Sequence, residues 1–142
     1  AKNGITRIRL YFMIGLPNET DDDIQKIVEL SSKVQSVIEN SAEKKLRTTS
    51  TDITISPFVP KPVTVFENEP FAGEMELKRK VKLLKRLVLK NRALKINFDP
   101  IINAVIESYL CNCRESALPF LESACHSRES GNLGLLKKWI PD

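Results

Sequence analysis

A single histidine, His126, stands among 142 residues. That excludes any catalytic or metal scheme needing two imidazoles, and sequence order alone assembles no Ser–His–Asp set. Cysteine is nearly as scarce: Cys111, Cys113 and Cys125 are an odd count confined to the last third of the chain. They make no disulfide framework, and such usage points to a reducing, cytoplasmic setting. No run approaches the roughly 18 apolar residues of a membrane span, and no signal-peptide pattern opens the sequence. Aromatic residues make up only 6%, and none falls in the basic run 78–92. That run therefore lacks the ring platforms on which single-stranded nucleic acid stacks.

What is present suits one globular domain: 42% hydrophobic and 28% charged residues allow a core and exclude wholesale disorder. The formal charge of +4 permits an anionic ligand or nucleic acid without requiring either.

Residues 7–14 alternate, with Ile8, Leu10, Phe12 and Ile14 on one face and Arg7, Arg9, Tyr11 and Met13 on the other, which predicts a strand ending at Gly15-Leu16-Pro17. Thr20 then reads as a helix N-cap, with Asp23 three positions on as a short-armed capping-box acid and Asp21 to Asp23 in the first turn. Ile24, Ile27, Val28, Val34, Val37 and Ile38 carry the helical period to about residue 40. After an unpatterned loop, "TDITISPFV" predicts a second strand, with Ile53 and Ile55 opposite Asp52, Thr54 and Ser56; Pro57, Pro60 and Pro62 end it. Residues 63–73 form a long connection of the kind that carries function or covers something. A helix is predicted from residue 74 to about 91 on Leu77, Val81, Leu84, Leu87 and Val88. The short apolar stretch "LKINF" leads to Asp99-Pro100 and a helix on Ile101, Ile102, Val105, Ile106, Tyr109 and Leu110, and a further short helix near Pro119. Strand–helix–strand order implies parallel pairing. Two such strands cannot cover a sheet, so the chain reads as part of something larger.

The blocks "LYFMIGLPNETDDDI" and, some way on, "ITISPFVPKPVTVFE" resemble the last two strands of the radical S-adenosylmethionine (radical SAM) partial barrel. The continuation "KRKVKLLKRLVLKNRALKINFDP" is similar to the branch that carries an N-terminal cobalamin-binding-type domain. The resemblance spans residues 3–125. It implies an α/β chain that is a fragment of a TIM-like partial barrel, its last two βα units (1–95), then a helical annex (96–126) and an irregular tail (127–142). It also implies that residues 15–19 and 56–59 flank the adenosyl group. Arg9, Tyr11, Met13, Gly15, Glu19, Thr54, Ser56, Phe58 and Val59 are the candidate cofactor-side residues. The mixed strand faces suit a cavity for a polar ligand, and the Arg9 guanidinium suits a ligand carboxylate.

The family's Cys-x3-Cys-x2-Cys loop, whose thiolates hold a 4Fe-4S cluster, has no counterpart. Cys111, Cys113 and Cys125 have other spacings and lie in the annex. No catalytic or metal residue is therefore assigned, and no cofactor is expected on the chain alone. S-adenosylmethionine, the cluster and, in that branch, cobalamin belong to a complete protein. Cys111, Cys113, Cys125 and His126 also offer four zinc ligands, but adjacent Cys-His and a helical Cys-x-Cys diverge. The expected partners are the missing N-terminal half of the barrel or another copy of the chain, with S-adenosylmethionine and no membrane. Two further readings stay open: an oligomerising remnant without catalysis, and a basic RNA-binding module built on the run 78–92.

Overall fold

A computed structural model describes residues 7–41, 50–89, 94–113 and residue 118. It divides into two compact units, one of Ala1–Phe58 with Ala72–Ile101 and one of Val59–Phe71 with Ile102–Asp142.

The first unit is α/β. Strand β1 (Arg7–Ile14) leads to helix α1 (Asp21–Ser41), β2 (Ser50–Pro57), helix α2 (Glu74–Val88) and β3 (Leu94–Phe98). The strands form one parallel sheet in the order β1-β2-β3. Three strands thus replace the two expected: "LKINF" is a strand, and the sheet continues across the boundary drawn at residue 95. Its alternation is the ordinary strand signal, but five residues carry little of it, and pairing with β2 makes the strand.

The even residues of β1 and the odd residues of β2 turn to the helices. Ile14, Ile53 and Ile55 are fully buried there with Ile24 of α1 and Leu77 and Leu84 of α2. Helix α1 buries Ile24, Ile27, Ser31, Gln35 and Ile38. The serines are tolerated because each returns its hydroxyl to a carbonyl one turn back, Ser31 to Ile27 at 2.7 Å and Ser32 to Val28 at 2.8 Å. With Ser31 and Gln35 on the core stripe, Val37 faces outward with Leu30, 65% and 51% exposed. The capping box forms as expected: the Thr20 N–H donates to Asp23 Oδ2 at 3.0 Å and the Asp23 N–H to Thr20 Oγ1 at 3.3 Å. Helix α2 buries Leu77, Lys80, Leu84 and Val88.

In the second unit the connection 59–71 is folded by local bonds, including Val63 N–H to the Glu67 carboxylate at 2.8 Å and Thr64 Oγ1 to the Lys61 carbonyl at 2.8 Å. Lys61 pairs with Glu107 of helix α3 (Ile101–Cys113). The helix expected near Pro119, the tail 127–142, Cys125 and His126 lie outside the described residues.

Candidate functional site

Parallel α/β sheets bind ligands beyond the carboxyl ends of their strands, and here those ends are built closely. The β1–β2 ladder runs to Ile14↔Pro57 and is extended by Phe58 N–H to the Ile14 carbonyl at 2.8 Å. The β2–β3 ladder is extended by Asp99 N–H to the Ile55 carbonyl at 2.9 Å. Ser56 then donates its hydroxyl to the Asp99 carboxylate.

Between β1 and α1 the chain reverses through Leu16-Pro17-Asn18-Glu19. The Glu19 N–H donates to the Leu16 carbonyl at 3.2 Å, with Asn18 at φ +60°. Proline followed by a left-handed asparagine is the composition of a type II turn. The turn carries Glu19 back, so that its carboxylate accepts the Gly15 N–H at 2.8 Å. Lys80 of α2 closes on the same carboxylate; both side chains are buried, 4% and 6% exposed. Gly15 has φ +87°, and a Cβ there would lie 2.8 Å from Leu77 Cδ2 and 3.2 Å from Ala72 Cβ. Only glycine fits that backbone against α2.

Next to this clamp, Arg79 grips the start of both helices. Its guanidinium donates to Asp21 at 2.6 and 2.9 Å and to Glu76 at 2.8 Å. These bonds hold the Asp21 and Glu76 carboxyls below their ordinary values and raise Arg79 above its own. Asp23 is held low by the Thr20 backbone N–H and then by its hydroxyl.

The sheet face turned away from α1 and α2 is unlike the packed one. Its rows, read across the three strands, are Arg9–Asp52–Lys95, Tyr11–Thr54–Asn97, and Met13–Ser56 beside Asp99. Tyr11 is 67% and Met13 54% exposed, Arg9, Lys95 and Asn97 are exposed, Thr54 and Ser56 are half-buried, and Asp52 is buried. Arg9 Nη1 donates to the Tyr11 hydroxyl at 3.4 Å, which with the Asp52 charge raises the guanidinium's pKa.

Of the nine candidate residues, Arg9, Tyr11, Met13, Thr54 and Ser56 share that face. Gly15 and Glu19 form the turn at its upper edge, and Glu19 spends its carboxylate inside the clamp. The Phe58 and Val59 side chains are buried, Val59 opening the second unit. Sequence reasoning missed Lys95, Asn97 and Asp99, because β3 was not recognised. It also left Lys80 undistinguished within the basic run 78–92. The spacing Leu77, Lys80, Leu84, Val88 is the signal that puts this lysine on the buried stripe.

Among the described residues no group of three or more His, Cys, Asp or Glu side chains is arranged to hold a metal ion. Cys111 and Cys113 are half-buried on α3, and a hydrogen bond to Cys113 raises the Tyr109 hydroxyl's pKa. Among the described residues no helix is long and apolar enough to cross a membrane.

No family model matches the chain, and no solved structure matches it. An uncharacterized protein of Methanocaldococcus jannaschii is 30% identical over 121 residues, covering 85% of this chain and 24% of that protein. The chain thus spans about a quarter of the relative it matches.

Proposed function

We propose that the chain supplies one side of a radical SAM partial barrel, its strand ends forming part of the wall around the adenosyl group. The observation that carries this reading is the placement of the two resembling blocks. Some forty residues apart in sequence, they lie on adjacent parallel strands, and their carboxyl ends meet at Ile14↔Pro57 with the Gly15 turn beside Ser56 and Phe58. Further support comes from the sheet's second face. Parallel sheets are covered on both sides, yet this one presents Tyr11, Met13 and a row of charges, the composition of a cavity wall and not of a helix-packing surface.

The residues of this chain do not fit a 4Fe-4S cluster, since its described cysteines lie on α3 and nothing resembling the cluster loop precedes them. Reductive cleavage of S-adenosylmethionine is therefore work for a longer polypeptide or an assembled partner. This chain's part is to shape the adenosyl side and exclude water. Leu30 and Val37 on α1, with the outer edges of β1 and β3, are where the rest of the barrel would pack. The RNA-binding reading loses ground, because Lys78, Arg79 and Lys80 of the basic run are engaged with Glu74, Glu76, Asp21 and Glu19.

The test is made on the full-length archaeal relative, purified without oxygen and reduced with dithionite in the presence of S-adenosylmethionine. Formation of 5′-deoxyadenosine is expected. A protein with its iron–sulfur cluster filled that forms none removes the reading.

A further inference from the structure

We infer that the Arg9–Asp52–Lys95 row is a binding subsite for an oxyanion, a carboxylate or phosphate group on a small-molecule ligand distinct from the adenosyl group. The inference rests on reading the exposed sheet face as a cavity wall.

Two cations stand two strands apart, on β1 and β3, with one acid between them on β2. At about 4.8 Å per strand their backbones are about 10 Å apart. Asp52 is buried, while Arg9 and Lys95 are exposed. A carboxylate offers about four acceptor sites, whereas a guanidinium and an ammonium together bring about eight N–H donors. Asp52, between them in the ladder, acts on Arg9 through its charge, and two cations against one acid leave the row a net positive charge. The next row, Tyr11, Thr54 and Asn97, is uncharged and able to hydrogen-bond. Among the described residues of these strands and their ends, the next acid on this face is Asp99, just past β3 and four residues from Lys95, or about 13 Å. An anion over the first row meets cations below it and neutral donors above it.

The adenosyl side lies elsewhere. Gly15 is six residues beyond Arg9 along β1, about 20 Å at strand rise, so the two groups do not compete for one place. Other exposed cations differ in kind. Lys82 and Arg86 lie on α2 without a counterpart across a ladder, and Lys85 stands over the Phe98 ring at 5.3 Å.

All three charged residues belong to one sheet of this chain, so the chain itself is the material for the test. The 142-residue protein, labelled with nitrogen-15, is titrated at constant ionic strength with succinate and, separately, with inorganic phosphate. Saturable shifts at Arg9, Asp52 and Lys95 are expected from at least one of the two, and the stronger identifies the carboxylate or phosphate source. Arg9→Gln and Lys95→Gln should each weaken binding by about tenfold, the loss of one charge-assisted hydrogen-bonding group. Arg9→Lys should retain part of it, and Lys82→Gln should leave it unchanged. Spectra of the variants that otherwise overlay the parent's confirm that each is folded.

Shifts that fail to saturate, that spread equally over Lys82 and Arg86, or that survive both substitutions overturn the inference. A parallel titration with S-adenosylhomocysteine reports on Gly15 and Ser56. A response there with none to either anion would leave the adenosyl reading standing and remove this one.

Discussion

Glu19 and Lys80 show how much of the strand-end geometry depends on single side chains. One carboxylate closes the Gly15 turn from within and holds α2 from outside, through a pair almost wholly out of water. Removing one partner leaves the other charge buried alone. Lys80→Met is therefore expected to destabilise the chain by about 3–5 kcal/mol, read from urea denaturation, and the double variant with Glu19→Leu by clearly less than twice that. Gly15→Ala places a Cβ against Leu77 on a left-handed backbone and should cost about 1–3 kcal/mol. The resemblance singled out both Gly15 and Glu19. It did not reveal that Glu19 faces Lys80, because a lysine inside a run of cations looks like any other until the burial of its stripe is known.

At the scale of elements, local signals in the sequence were strong wherever the physics is local. The β1 alternation and the Thr20–Asp23 cap depend on neighbours within a few residues and formed as read, and the α2 stripe kept Leu77, Leu84 and Val88 but took Lys80 into the core, with Val81 and Leu87 half-buried. Strand β3 depends on pairing with a strand some forty residues earlier, so five residues of alternation were passed over. Val37 failed for a related reason, since Ser31 and Gln35 took core positions that hydrophobicity alone assigns to valine.

The helix start also predicts a response to acid. Asp21, Asp23 and Glu76 have folded pKa values below their ordinary ones, through Arg79 for the first and last and Thr20 for Asp23. Their contribution is complete above the unfolded carboxylate values, about 4, and is lost as pH falls through the lower folded values. The urea midpoint should therefore drop below about pH 4, and Asp21→Asn with Asp23→Asn should flatten that drop. Thr20→Ala should cost about 1 kcal/mol at neutral pH by removing the cap.

For the whole molecule, fold class was legible and the ligand was not. Periodicity and strand–helix–strand order are enough to indicate a parallel α/β sheet. A ligand at the strand ends of an α/β sheet is chosen by residues from several strands and loops, and this chain matches only about a quarter of its archaeal relative. The exposed Tyr11, Met13, Leu30 and Val37 predict that the isolated chain self-associates. Sedimentation should show mass rising with concentration, and Leu30→Glu with Val37→Glu should reduce it.

The most direct measurement uses the archaeal relative with this chain exchanged for the segment it matches. The chimera is irradiated with S-adenosylmethionine radiolabelled in the adenosine, and the labelled peptides are sequenced. Label on residues 13–15 or 56–58 is the predicted result. Label confined to the rest of the protein, with these strand ends untouched, would contradict the assignment of this chain to the adenosyl wall.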